Sequence, residues 1–379
     1  MTEVKKHGMG TELVEPEWAS LSVAVIQKLL QYYPQFQQVS EIVWHSPRPF
    51  SSAAIAVIDG EKRFVKRHAT ALRDVQGLLE EHGIIQHLRT QGIPTSVIVQ
   101  GVGGQTAFTI GDWTYEMHEI GAGVDIYQDA VSWSPFTSTA HAFAAGEMLA
   151  NVHIAAASYT GGKRHVRPLV SDFAIWLSDD PLQATRQFFV GRPGLKTYMG
   201  KRNWEQDFQT ALFPFYEQFK PYKDGLQPLW THNDWHASNL LWTDRSEQAQ
   251  VATVLDFGLG NETFAVYDIA TALERNVVEW LEIEDANKDV IHVEAACTFL
   301  RGYQSVRPLS QQEKKALVTI LPLVHTDFAL SEIDYFMRIT KKPQDADVAY
   351  DVFLIGHAQW FNGVQGQQLL EAIATELNT

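Results

Sequence analysis

Residues 231–242, Thr-His-Asn-Asp-Trp-His-Ala-Ser-Asn-Leu-Leu-Trp, are followed at 251–260 by Val-Ala-Thr-Val-Leu-Asp-Phe-Gly-Leu-Gly. This places His232, Asp234, Asn239 and Asp256 in the order that phosphoryl transfer requires. Asp234 stands where a residue would meet an acceptor hydroxyl. Asn239 and Asp256 offer the hard oxygen ligands that hold Mg²⁺ against the phosphates of ATP. Asp234 and His232 are therefore the candidate catalytic residues, with His232 expected to anchor the loop rather than carry a proton, and Asn239 and Asp256 are the candidate metal ligands. Such an order implies a kinase.

The spacing adds geometry to residue type. Asn239 lies five residues after Asp234, which suits a loop that turns and then enters a short apolar strand at 240–242. A second strand at 251–255 ends at Asp256, and the polar turn between the strands predicts a β-hairpin that brings both metal ligands to one end. A competing reading takes His232-x-Asp234-x-His236 as a zinc site. It leaves Asn239 and the Asp-Phe-Gly without a role, and no HExxH or paired-cysteine pattern supports it.

At 379 residues the chain is long enough for two lobes with a cleft between them, and 45% hydrophobic with 20% charged residues is ordinary for a globular enzyme. The single cysteine, Cys297, excludes an intramolecular disulfide and sits in an apolar run that predicts a small core residue. The first ten residues lack the apolar core of a signal peptide, and no uninterrupted apolar run approaches the roughly 18 to 20 residues that span a bilayer. A cytoplasmic protein without a membrane partner is the expectation. A net charge of −15 argues against a nucleic-acid partner, since phosphate backbones are bound by clustered Lys and Arg.

Before the motifs, residues 18–33 carry apolar residues at helical spacing and read as an amphipathic helix. Strands are then predicted at 41–45, 52–58 and 62–67, a helix at 71–91, and strands at 96–100, 106–110 and 113–118. Lys66, on the third strand, could reach ATP phosphates, and Glu81 on the following helix could hold its ammonium by an ion pair. No GxGxxG precedes these strands. The segment 46–54 occupies that place instead, and the small residues Ser51, Ser52, Ala53 and Ala54 could let backbone N–H groups approach phosphate. Gly101-Val-Gly-Gly104 reads as a turn between strands. An adenine between the lobes would meet backbone groups near His118, Glu119 and Ile120, with apolar cover from Met117 and Ile120.

These boundaries give an ATP-binding lobe with its leading helix at 1–118, a hinge at 119–124, and a helical catalytic and substrate lobe at 125–379. In the second lobe the period is helical from Ser138 onward, with helices expected at 204–218, 265–279, 290–303, 311–339 and 346–375. His153 reads as a hydrogen-bonded core histidine. Asp268 reads as a brace for the catalytic loop.

Lys66, Glu81-x6-Leu88 with Gly92-Ile93-Pro94, the His232-Asn-Asp234 to Asn239 loop, Leu255-Asp256-Phe257-Gly258 and Tyr267-Asp268-Ile269-Ala270 together resemble the aminoglycoside phosphotransferase and choline kinase superfamily. The resemblance covers residues 40 to 340. It implies an α+β, bilobal, protein-kinase-like fold with a β-rich ATP lobe and a helical substrate lobe, and phosphorylation of small-molecule hydroxyls. Gly302-Tyr303-x3-Arg307-Pro308-Leu309-Ser310-x2-Glu313 is further similar to the later part of type II homoserine kinases. Two departures stand out. Asn233 replaces the family's usual Gly, which Asn can do because it enters unusual backbone regions readily. Trp235 and His236 replace smaller or apolar residues, which implies a distinctive substrate side of the loop.

Three functions compete: a small-molecule O-kinase, a protein Ser/Thr kinase of the same fold, and a nucleotide-binding module without turnover. No Ala-Pro-Glu follows Asp256, and the chain passes quickly to Tyr267-Asp268, which leaves little room for an activation segment. Charge bears on the acceptor. Residues 1–118 hold 10 Lys+Arg and 12 Asp+Glu, whereas residues 119–379 hold 20 and 33. The acidity sits in the substrate lobe, with Glu274, Glu279, Glu282, Glu284 and Asp285 close together, so a cationic acceptor carrying an amine beside its hydroxyl is expected.

Overall fold

The structure, a computed structural model, describes residues 18–46, 50–128, 130, 134–166, 168–283 and 288–378. β-branched and aromatic residues and the Asp59-Gly60 turn build β1 (Val39–His45), β2 (Ser52–Ile58) and β3 (Glu61–Ala69) in succession. With β4 (Ala107–Ile110) and β5 (Trp113–Glu119) they form an antiparallel sheet in the order β1-β2-β3-β5-β4. Helix α1 (Val23–Leu29) starts where Ser22 accepts the amide of Val25, and it packs on one face of this sheet through Ile26, Leu29 and Leu30. It is shorter than the apolar spacing predicts.

Period-two alternation divides the sheet. Val65 pairs with Met117 and faces the α1 core, while Lys66 pairs with Glu116 and Phe64 with His118 on the other face. That other face receives α2 (Val75–Thr90), whose N-terminus is capped by Asp74. Helix α2 begins four residues later than expected because Asp74 supplies the cap. The segment 96–100 is not a strand. It runs beside β5 through Val99 N–H to Met117 O and Glu119 N–H to Val97 O, both 2.8 Å, and Gly101–Gly104 turns it into β4.

The chain crosses from β5 into a helical lobe at residues 120–124. Gly123 lies at φ +103°, where a Cβ would fall 2.6 Å from Trp242 O. This close approach lets Val124 and Trp242 exchange backbone hydrogen bonds of 2.8 and 2.9 Å. The lobe is built around α3 (Thr139–Ala156), which packs against the helix Val293–Val306, and around the strands β6 (Pro228–Thr231), β7 (Leu240–Trp242), β8 (Val251–Val254) and β9 (Asn261–Phe264). Strands β7 and β8 form the expected hairpin, and β6 pairs with β9. The long helix expected at 311–339 bends through a 3₁₀ turn at Leu321–Leu323, where Pro322 cannot donate an amide. Within Gln311–Thr340 one 18-residue window, with a mean hydropathy of 1.4, is apolar enough to cross a membrane, yet 83% of that window is buried inside the lobe, as in a core helix. Cys297 is buried, as expected.

Candidate active site

The loop 232–239 joins β6 to β7, and its shape is fixed by one buried carboxylate. Asp268, at the start of the helix Ala265–Asn276, accepts the amide of His232 at 2.7 Å and that of Asn233 at 2.8 Å, and it also takes His153 Nε2 at 3.0 Å. Burial opposes its ionisation, but these donors hold its pKa below the usual carboxylate value. His153 completes the brace by meeting Tyr303 Oη at 2.7 Å. Asn233 sits at φ +62°, the left-handed region that Asn tolerates.

His232 uses both ring nitrogens on backbone. Nδ1 accepts the amide of Asp234 at 3.2 Å, and Nε2 donates to Leu255 O at 2.8 Å. It therefore ties the loop to the end of the strand that leads into Asp256, and the geometry makes it a positioning residue rather than a catalytic one. The same contacts dispose of the zinc reading, because neither nitrogen points to a shared centre with His236, whose Nδ1 meets Ser238 Oγ at 2.8 Å. Trp235 is wholly buried, with its ring edge on His232. It is a core residue, not part of the substrate side.

Asp234 is held from several directions. Asn239 Nδ2 donates to its Oδ2 at 3.1 Å and to its backbone O at 2.9 Å, while His236 Nε2 lies 3.6 Å and Arg275 Nε 3.9 Å from its carboxylate. Burial would raise its pKa, but the positive neighbours His236 and Arg275 hold the acid far below the usual range. Because Asn239 turns its amide nitrogen to Asp234, its carbonyl oxygen is the atom suited to a cation.

Asp256 lies at φ +50° and accepts the amide of Gly258 at 3.2 Å. Both of its oxygens also contact Lys66 Nζ, at 3.1 and 3.0 Å. Burial disfavours the charge on each, yet their mutual attraction keeps Lys66 protonated and Asp256 ionised. A Cβ on Gly258 would fall 2.8 Å from Asp256 Oδ1 and 2.9 Å from Arg73 Nη1, so a larger residue there would push on both side chains.

The expected Lys66–Glu81 ion pair is not formed. Glu81 Oε2 accepts from Arg73 at 3.2 Å and lies 3.6 Å from Arg164 Nη2. Two guanidiniums, Arg73 just before α2 and Arg164 from the helical lobe, take the carboxylate, and Lys66 turns to Asp256. Arg164 also donates to Gly258 O at 2.9 Å and Gly77 O at 2.8 Å, tying the Asp-Phe-Gly turn to α2. Burial pushes its pKa down to about 10. Neither Arg73 nor Arg164 was legible from spacing; the one signal for Arg164 is its basic run, Lys163-Arg164-His165, in an acidic lobe.

The other nucleotide candidates divide. Ser52 is buried in β2 with its hydroxyl on Ala19 O, and Ala53, not Ser52, pairs with Lys66. Ser51 is half-buried, and part of the segment 46–54 lies outside the described residues. Met117 cannot cover an adenine: alternation points it into the α1 core, where it is fully buried. His118 lies on the Lys66 face but turns its ring to Glu116 and Ser96. Glu119 spends its amide on Val97, and Ile120 is 43% exposed at the crossing.

Beside Asp234 a narrow cavity is lined by Asn233, Tyr267, Glu274, Arg275, His325 and Phe328. Glu274 is buried, 3.5 Å from Arg275 Nε. Glu279 points instead to Lys288 and His292, and Glu284 and Asp285 lie outside the described residues. Of the acidic group, Glu274 is the member at the cavity.

A model of the phosphotransferase enzyme family matches residues 47–309. The homoserine kinase of Methylobacillus flagellatus is 26% identical over 220 residues, 58% of this chain and 59% of that protein. That of Methylobacillus glycogenes is 26% identical over 274 residues, 69% of this chain and 73% of that protein. The chain thus spans about three fifths of the length of the first of these relatives. Among solved structures, a microcompartment-associated aminopropanol kinase superposes with a TM-score of 0.61 at 17% identity, covering 92% of this chain and all of that one. A spectinomycin phosphotransferase, solved with ADP and spectinomycin, gives 0.54 at 11% identity over 95% and 99% of the two chains. These superpositions bear out the bilobal kinase-like fold.

Proposed function

Because the chain belongs to the phosphotransferase enzyme family, we propose that it is a small-molecule kinase, which moves the γ-phosphoryl of ATP, with Mg²⁺, to the hydroxyl of a small amine-bearing acceptor. The observation that carries this reading is the convergence of Asp234, Asn239, Asp256 and Lys66 between two braced segments. Asn239 and Asp256 would hold Mg²⁺, whose charge would offset that of the phosphates. Lys66 would exchange Asp256 for phosphate oxygens. Asp234 remains ionised at neutral pH and orients the acceptor hydroxyl, accepting its proton late, because a loose transition state asks mainly for position and charge stabilisation. Backbone groups from Ile120 onward are the proposed adenine contacts.

The cavity beside Asp234, about 10 Å³ and so with room for about one water molecule, is walled by Glu274 and Arg275, which lie 3.5 Å apart. An acceptor with both an amine and a carboxylate, as in homoserine, would meet both charges there only if that pair parted to admit it. The test is ATP consumption and product mass against homoserine, aminopropanol, choline-like compounds, aminoglycosides and neutral sugars. Phosphorylation of an amine-bearing acceptor that vanishes in Asp234→Ala supports the assignment, and turnover retained in that variant removes it.

A further inference from the structure

Three histidines converge on one glutamate behind Lys66. His68 lies on β3, His82 on α2, and Glu116 and His118 on β5, and all four are buried. His82 Nε2 and His118 Nε2 both approach Glu116 Oε2, at 2.9 and 2.8 Å, while His68 Nε2 takes the other oxygen at 3.1 Å. The outer nitrogens are held as well: His82 Nδ1 by Thr106 Oγ1 at 2.8 Å and His118 Nδ1 by Ser96 Oγ at 3.1 Å. None of these residues has a part in the reaction proposed above.

We propose that His82, Glu116 and His118 form a binding site for a transition-metal ion of the zinc type. Their ligand atoms all lie within 4.8 Å of one another, the one such group of three among the described residues. Two imidazoles and a carboxylate are a donor set that borderline divalent ions take, and hydroxyls on the outer nitrogens are the kind of support that fixes ring orientation in such sites. His68 anchors Oε1 and leaves Oε2 to the ion.

Tetrahedral zinc with bonds of roughly 2.0 to 2.1 Å separates its ligand atoms by about 3.3 Å. The present N···O distances of 2.8 and 2.9 Å are those of protonated Nε2 atoms. Ligation would pass each of those protons to Nδ1, where Thr106 or Ser96 can accept it, or to solvent, and needs the ligands to part by about half an ångström. The bound ion would pin α2 to β5, and α2 carries Glu81 next to His82.

The test uses the full chain, stripped with a chelator and titrated with zinc ion alone in competition with a chromophoric chelator. One equivalent should bind at micromolar affinity or tighter in the wild type and in Asp256→Ala, which disables the proposed Mg²⁺ site. His82→Gln and His118→Gln should each weaken binding by at least about 100-fold, and Thr106→Val by roughly 10- to 100-fold. Should the histidine variants fail to fold, cobalt substitution of the wild type decides, since three protein ligands should give the intense visible bands of low coordination. Lack of a stoichiometric site, affinity unchanged in a folded His82→Gln, or only weak octahedral cobalt absorption would each overturn the proposal.

Discussion

Lys66 bridges both carboxylate oxygens of Asp256, at 3.1 and 3.0 Å, across the cleft between the β-sheet and the helical lobe. The residue proposed for phosphate contact and the one proposed for Mg²⁺ thus satisfy each other. Nucleotide with metal must replace one ion pair by two. Lys66→Met should reduce kcat/KM for ATP by at least about 10²-fold, as expected when a charge contact to the transferring phosphoryl is lost. Steady-state kinetics check this, and an unchanged kcat/KM would count against the assignment.

Asp256→Asn and Asn239→Ala should both raise the Mg²⁺ concentration needed for half-maximal rate. The Asp256 change should be the larger, because it removes a full negative charge from the ion. Magnesium titrations of activity distinguish them, and equal, wild-type-like curves would sink the ligand roles.

Asp234→Ala should slow transfer by about 10²- to 10⁴-fold, the range for loss of a general base, with nucleotide affinity close to wild type. Equilibrium nucleotide binding measured beside turnover separates the two effects. A parallel collapse of nucleotide binding would show that Asp234 acts elsewhere.

Asp268→Ala should cost stability as well as rate. It leaves two loop amides and the buried His153 without their acceptor, and removal of one partner from such a buried charged network costs about 3–5 kcal/mol. Urea unfolding gives the loss. A folded variant of wild-type stability would mean that the loop is held by other contacts.

Asp327 predicts a pH dependence. Burial, followed by the charge of Asp172, pushes its pKa up to about 7, whereas an unfolded aspartate titrates near about 3.9. The folded state therefore binds more protons between those values, so stability is full below the lower pKa and declines as pH rises through the upper one. Asp327→Asn should gain stability relative to wild type from pH 5 to pH 8. Chemical unfolding across that range tests it, and a difference that does not widen with pH contradicts the account.

Local order in the chain made much of this legible. The β7–β8 hairpin, the catalytic loop and the Asp268 brace follow from residue type and short spacing, because strands and turns are written within a few residues. The partners of Glu81 were not legible. Arg73 and Arg164 reach it through tertiary packing, and nothing in the interval between residues 81 and 164 encodes that approach. Met117 was misread for a simpler reason: its place beside the hinge says nothing about sheet face until the pairing of Val65 with Met117 is known. The same holds for the histidines around Glu116, which alternation and α2 bring together from distant positions.

The crossing at Gly123 has a mechanical consequence. Val124 and Trp242 hold each other through two backbone hydrogen bonds, and Val254 donates to Pro94 O at 2.8 Å, so the connection between lobes is fastened to the hairpin whose strands lead to Asn239 and Asp256. Were the lobes to swing about that joint, Asn239 and Asp256, the proposed oxygen ligands, would move least, because they follow the fastened hairpin. Lys66, carried on the other lobe, would travel along an arc about them. The cleft would then open as a caliper does, with one jaw fixed, and an alanine at Gly123 would force that joint apart before any substrate arrived.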